Sequence, residues 1–305
     1  MNSKRDFLTV WDLSSDDIEY LIKRAMELKI GIDKNKCPLI GKSIGLFFEK
    51  PSTRTRVSFE VGIYQLGAQS IYLSSKELQL NRGESIADTA RVLSRYLNGI
   101  ILRLYSHSVM EEFARHATIP VINGLSDIHH PCQALADLMT IMEKKGRLKG
   151  VRLAYIGDGN NVANSLIEAS AKTGVDITIA CPEGYEPLAD VLDRARENAR
   201  GDIIILRNPK EAAARADVIY TDVWISMGQE KDTEKRKEKF KNFQVNEDLL
   251  KCAKPDVIVL HCLPAHRGEE ITDDVIDGPN SVVFDQAENR LHTEKALLEF
   301  LIKND

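Results

Sequence analysis

Residues 43–66 read S-I-G-L-F-F-E-K-P-S-T-R-T-R-V-S-F-E-V-G-I-Y-Q-L. Ser43–Phe48 is a short apolar run suited to a buried strand, residues 54–66 read as the helix that follows, and Gly67 closes it. Between them Glu49-Lys50-Pro51-Ser52-Thr53-Arg54-Thr55-Arg56 fills a strand-to-helix turn. Such a turn aims free backbone N–H groups and the positive helix end at whatever lies above the sheet. Ser52, Thr53 and Thr55 add hydroxyls, and Arg54 adds a planar fork matched to a phosphate or carboxylate. Ordinary N-capping by Ser52 or Thr53 accounts for one hydroxyl, not for three hydroxyls and two arginines within five residues. An anion site is expected here.

Outward from this turn, short apolar runs alternate with amphipathic stretches, the rhythm of parallel sheets flanked by helices. A first helix is expected to start near Ser14, where Ser14-Ser15-Asp16-Asp17 supplies a cap and N-terminal acid. Residues 71–73, 99–102 and 120–123 are strand candidates, Gly83-Glu84-Ser85 opens a helix to Tyr96, and a long helix runs from Pro131 to Gly146. Lys144-Lys145-Gly146-Arg147 is a polar break. Beyond it, strands are expected at 151–156, 177–180, Ile203–Leu206, 218–220, 257–260 and 282–284, with a last helix over 287–302. The expected fold class is α/β: two domains, each a mostly parallel sheet with helices on both faces, joined by long helices. Their expected bounds are 1–146 and 147–288, with 289–305 a helix packing back on the first domain. The run E-K-D-T-E-K-R-K-E-K-F-K at 230–241 reads as a solvated loop or helix face.

A chain of 305 residues fits two domains better than one core, and 43% apolar with 29% charged residues is a globular balance. No stretch approaches the ~20 apolar residues of a membrane helix, and the first residues lack the apolar run of a secretory signal. A net charge of −5 argues against nucleic acid or an acidic membrane as partner. Cys37, Cys132, Cys181, Cys252 and Cys262 are scattered without a Cys-x-x-Cys, as in reduced cytosolic proteins. A cytoplasmic location is expected.

Further polar residues fall where open α/β sheets bind ligands, beyond strand ends. Arg103 follows the strand at 99–102; His130 opens a helix, and Gln133 lies one turn further on the same face. Adjacent His129 and His130 diverge on a helix and lack a carboxylate at ligand spacing, so no metal is expected. Gly157-Asp158-Gly159-Asn160-Asn161 invites a dinucleotide reading, but the third glycine of that fingerprint would be Val162. Asn161 offers an amide to an amino-acid carboxylate, although Asn160-Asn161 also suits a turn and helix cap. Asp222, at a strand end, suits an ammonium. Cys262 is open to three readings: nucleophile, zinc ligand with His261 and His266, or substrate contact.

The segments S-T-R-T-R-x-S-F-E at 52–60, G-E-S-x-x-D-T-A-R-V-L-S-R-Y at 83–96, His130-Pro131-Cys132-Gln133, Gly157-Asp158-Gly159-Asn160-Asn161, Asp222-Val223-Trp224-Ile225-Ser226-Met227-Gly228 and His261-Cys262-Leu263-Pro264 occur in that order. Together they resemble the aspartate and ornithine carbamoyltransferase family over the whole chain. The resemblance implies carbamoyl phosphate on Ser52, Thr53, Arg54, Thr55, Gln79, Arg103, His130, Pro131, Cys132, Gln133, Cys262, Leu263 and Arg290. It implies an amino-acid acceptor on Asn161, Asp222, Ser226 and Met227, with Arg103, His130, Asp222 and Cys262 catalytic and no metal or cofactor. Cys132 sits at a variable motif position and reads as packing. The S-M-G loop and Asp222-Val-Trp, where the aspartate branch bears an arginine, imply L-ornithine as acceptor and L-citrulline as product. A homotrimer, with Gln79 reaching a neighbouring subunit, is also implied. Alternative readings are another amine acceptor such as aspartate or putrescine, a nicotinamide-dependent dehydrogenase, and a non-catalytic anion-binding relative.

Overall fold

The computed structural model describes residues 4–33, 36–74, 83–225 and 233–302. The chain forms two compact units, Met1–Ala136 with Asn289–Asp305 and Asp137–Glu288. In the first, α1 (Ser15–Lys29) begins where expected: Ser14 Oγ accepts from Asp17 N at 3.0 Å and Asp17 Oδ2 accepts from Ser14 N at 2.9 Å. Then follow β1 (Ser43–Phe48), α2 (Thr53–Gln65), β2 (Gln69–Ser74), α3 (Ile86–Tyr96), β3 (Gly99–Arg103), α4 (His107–His116), β4 (Val121–Leu125) and α5 (Pro131–Lys145). The strands are parallel in the order β2-β1-β3-β4. β1 and β3 are buried nearly throughout, as strands covered on both faces must be. Phe47, Ile100, Leu102, Met110, Phe113 and Val121 form one core of this unit.

The second unit contains β5 (Arg152–Ile156), α6 (Asn161–Thr173), β6 (Asp176–Ala180), α7 (Ala189–Asn198), β7 (Ile203–Leu206), α8 (Pro209–Ala213), β8 (Val218–Thr221), α9 (Thr233–Phe240), α10 (Glu247–Leu250), β9 (Ile258–His261) and α11 (Asp273–Ile276). Its parallel sheet runs β7-β6-β5-β8-β9. The last helix, α12 (Val283–Ile302), begins in this unit and carries its later residues into the first unit's cluster. There Glu299 accepts from Arg24 Nε at 3.0 Å, and Lys295 donates to Gln65 at 2.9 Å.

Strand order fixes where ligands can bind. It reverses between β1 and β3 in the first sheet and between β5 and β8 in the second, so the loops leaving each pair diverge and open a crevice. In register, Phe48 lies opposite Arg103, and Ile156 opposite Thr221. The turn at 49–56 and Arg103 share one crevice edge, and Gly157–Asn161 and Asp222 flank the other.

One expected strand does not form. Residues 282–284 (Val-Val-Phe) have strand-forming side chains, but Val259 takes its edge hydrogen bonds from the preceding turn. Val259 N donates to Asn280 O at 2.8 Å and Val282 N to Val259 O at 3.1 Å; Ser281 makes a single bridge, and α12 starts at Val283. The last helix is longer at its start than the sequence pattern suggests. The charged run is also not wholly solvated: from Thr233 it is α9, with Phe240 buried. Residues 230–232 lie outside the described residues.

Gly159 is demanded by packing. A Cβ there would stand 2.1 Å from Pro187 N and 2.3 Å from Glu186 C, both backbone atoms. Gly159→Ala should lower the unfolding free energy by about 1–3 kcal/mol. Urea denaturation checks this, and an unchanged midpoint would contradict the close approach.

Candidate active site

In the first unit, Ser52 caps α2, accepting from Thr55 N at 3.3 Å, and so performs the local role any helix start requires. Thr53 and Arg54 occupy the exposed side of the first turn, and Thr55 is buried. Arg56 is used structurally: it donates to Glu60 at 2.9 Å, and its guanidinium carbon stacks 3.7 Å from the Tyr72 ring centre. Both arginines of the turn are thus exposed, with Arg56 tied to its own helix and to β2. Arg103 ends β3 and is 5% exposed, although it is charged.

His130 immediately precedes α5 and is buried. Burial, reinforced by the Arg290 and Arg103 guanidiniums, holds its imidazole well below the usual titration range. It is a neutral ring with an N–H to donate. The neighbouring His129 packs edge-on against His107, the two ring centres 4.9 Å apart. Pro131 starts α5. Cys132 is buried, its Sγ donating to Asn123 O at 3.3 Å, and burial pushes its thiol far up. Its side chain is packed in the interior of the first unit.

Arg290 of α12 connects these pieces. Its Nη1 donates to Gln133 Oε1 at 2.9 Å, Nη2 reaches Thr55 Oγ1 at 3.5 Å, and Nε and Nη2 bond Glu294 Oε1 at 3.0 and 2.6 Å. A guanidinium only donates, so the Gln133 oxygen faces it and the amide orientation is fixed. Glu294 is 1% exposed, and burial raises its pKa against the pull of Arg290. The sequence pattern did not single out Glu294.

In the second unit, Asp222 follows β8 and is 6% exposed. Its Oδ2 accepts from Asn160 Nδ2 at 2.7 Å, and its Oδ1 accepts from Cys262 Sγ at 2.9 Å and from Val223 N at 2.8 Å. Asn160 also caps α6, its Oδ1 accepting from Val162 N at 3.0 Å and Ala163 N at 3.2 Å. The cap reading of the Asn pair therefore falls on Asn160, which holds Asp222 as well; Asn161 is the first residue of α6. Gly159 has its packing explanation above, so the Gly-x-Gly lends no weight to a dinucleotide.

Leu263 N donates to His261 Nδ1 at 2.9 Å, so the imidazole proton lies on Nε2, which meets Glu270 Oε1 at 3.1 Å. Both ring nitrogens of His261 are engaged in hydrogen bonds, and its ligand atoms lie within 4.8 Å of those of Asp222 and Cys262. Leu263 itself sits at φ +56°, a left-handed conformation that a branched residue adopts only under local constraint. Burial pushes Asp158 up to about 6, Arg236 opposes that rise, and Asp222 adds to it. Asp158 and Arg236 were not singled out in the sequence. Gln79, Ser226 and Met227 lie outside the described residues.

The sequence-predicted residues therefore fall into two groups. Ser52, Thr53, Arg54, Thr55, Arg103, His130, Pro131, Cys132, Gln133 and Arg290 belong to the first unit; Asn161, Asp222, Cys262 and Leu263 belong to the second. The first group is rich in donors and cations, as an anion requires. The second centres on a carboxylate and suits an ammonium.

Residues 5–143 match the family description "Aspartate/ornithine carbamoyltransferase, carbamoyl-P binding domain", and residues 149–301 match its "Asp/Orn binding domain". The chain is 56% identical over 303 residues to an ornithine carbamoyltransferase of Thermococcus kodakarensis, covering 98% of this chain and 96% of that one. It is 54% identical over 301 residues to one of Syntrophus aciditrophicus, covering 98% of this chain and 100% of that one. A solved ornithine carbamoyltransferase of Pyrococcus furiosus superposes with a TM-score of 0.96 at 55% identity, covering 99% of this chain and 98% of that one. This chain is a carbamoyltransferase and belongs to the aspartate/ornithine carbamoyltransferase family.

Proposed function

We propose that the chain transfers the carbamoyl group of carbamoyl phosphate to the δ-amine of L-ornithine, giving L-citrulline and phosphate. The observation that carries the choice of acceptor is Asp222, a carboxylate held by Asn160 and Cys262 at the mouth of the second sheet. It attracts a diamino acid and repels the second carboxylate of aspartate. The relatives named above are ornithine carbamoyltransferases.

In this reading Ser52, Thr53, Arg54 and Thr55 hold the phosphate. Arg103, Thr55 and neutral His130 donate to the carbonyl oxygen, and Gln133, oriented by Arg290, meets the carbamoyl NH₂. The amine lone pair attacks the carbonyl carbon. Donors aimed at the developing oxyanion stabilise the tetrahedral intermediate. The C–O bond to phosphate then breaks, and the leaving phosphate takes the amine proton. Asp222 and Cys262 place the amine, and Asn161, Ser226 and Met227 hold the amino-acid end. Leu263 completes the donor set. No metal or cofactor enters, because the mixed anhydride is already activated.

The same reading makes the enzyme a cytoplasmic homotrimer with Gln79 serving a neighbouring subunit's site. No described helix is long and apolar enough to cross a membrane. Val57, Val61 and Tyr64 form an exposed apolar stripe on α2, next to edge strand β2 with exposed Ile71, a surface suited to a second copy of the chain. Mixing Arg54→Ala chains with Gln79→Ala chains should recover activity in hybrids; inactive hybrids would argue against shared sites.

Given carbamoyl phosphate, purified protein should release phosphate and form a ureido product with ornithine, and far less with aspartate, lysine or putrescine. Faster turnover of aspartate would overturn the acceptor assignment. A free alkylammonium titrates near 10.4, so only about one amine in 10³ is nucleophilic at neutral pH. The rate at low ornithine should therefore rise about tenfold per pH unit through neutrality. His130 is already neutral there. Its Asn variant should lose roughly 10²-fold in kcat without moving that limb, and a displaced limb would instead make His130 the titrating base.

A further inference from the structure

Arg236 stands in the run read as solvated, yet its side chain is 12% exposed. Its Nε donates to Trp224 O at 2.8 Å, and its Nη2 pairs with Asp158 Oδ2. Its guanidinium carbon lies 4.7 Å from the Tyr185 ring centre and 5.6 Å from that of Phe240. Both edges and the aromatic-facing side of the group are engaged, which is not how a solubilising charge behaves.

The two segments it grips flank the acceptor carboxylate. Asp158 lies two residues before Asn160, which donates to Asp222, and Trp224 lies two residues after Asp222. We infer that Arg236 is a positioning residue for the amino-acid acceptor, locking the loop after β5 to the loop after β8 so that Asn160 presents Asp222 to the substrate ammonium. The inference rests on the ornithine reading above.

Charge supports the same role. The titratable groups around Asp158 are Arg236, Asp222, Cys181 and Tyr155. Among these Arg236 is the cation that holds Asp158 ionised against burial and against Asp222. Without it, Asp158 takes up a proton at higher pH, the tie to Trp224 is lost, and the loop carrying Asn160 is released.

The experiment varies ornithine and carbamoyl phosphate separately, from pH 6 to 9, for the wild type, Arg236→Gln, Arg236→Lys, Asp158→Asn and the Asp158→Asn/Arg236→Gln double variant. Arg236→Gln should raise the ornithine KM about tenfold or more and leave the carbamoyl phosphate KM within about twofold. The further acid limb that Asp158 protonation adds to kcat/KM for ornithine, below that of the amine, should move to higher pH. Arg236→Lys should recover part of the loss, and the double variant should be no worse than about twofold below Arg236→Gln. Equal rises in both KM values with an unmoved limb, additive losses in the double variant, or wild-type kinetics overturn the assignment. Should Arg236→Gln fail to fold, Arg236→Lys decides by the same split of KM values. Wild-type turnover of ornithine with an unaffected Arg236→Gln removes only this role, whereas a wild type inactive on ornithine removes the acceptor reading and the role together.

Discussion

The donor half of this protein depends on one buried guanidinium. Arg290 is 7% exposed and bonds Glu294 of its own helix, Gln133 of α5 and Thr55 of α2. A buried cation is tolerable only when its donors are used, and stripping a single partner from such an arrangement typically costs about 3–5 kcal/mol. The requirement works in both directions. Glu294 neutralises the charge, while the remaining N–H groups fix the amide of Gln133 and approach the hydroxyl of Thr55. Burial, with Arg290 and then Arg103 adding to it, disfavours the charged form of His130. One packing requirement thereby sets amide orientation and hydroxyl placement together and adds to the effect of burial on the imidazole.

The acceptor half solves a different problem by a related method. Its central group is an anion, Asp222, steadied by a neutral amide and a thiol rather than by a cation. Asp158, close enough to raise the electrostatic burden, is matched instead by Arg236. Each half thus contains a buried ion pair, Arg290 with Glu294 in one and Arg236 with Asp158 in the other. Both sets stand at points where a parallel sheet reverses its strand order.

Much of this was legible in the amino-acid order, because parallel sheets punctuate themselves. Apolar runs mark buried strands, and polar clusters after them mark ligand loops; Ser52–Thr55, Arg103, His130, Gln133, Asp222 and Cys262 all stood out on that basis. What could not be read had a tertiary cause. Val282, Val283 and Phe284 have strand propensity, but the edge of β9 is bonded by Asn280 and Val282 before a strand can extend. Arg236 is hidden among lysines and glutamates, and nothing local distinguishes it as a basic residue whose side chain finds a buried carboxylate. Asn160 and Asn161 are equivalent on paper; only the cap geometry separates them. Arg56 looked like a partner of Arg54 until Glu60 and Tyr72 claimed it.

The return of α12 to the first unit has a temporal side. That unit comprises Met1–Ala136 and Asn289–Asp305, so its contiguous part leaves the ribosome well before the helix that completes it. At roughly 5–20 residues per second, translation of the intervening second unit leaves the apolar surface awaiting Leu297, Leu298 and Ile302 open for about 8–30 seconds. During that interval the nascent N-terminal segment is a natural client for chaperones, and Gln133 and Thr55 lack the arginine that bonds them.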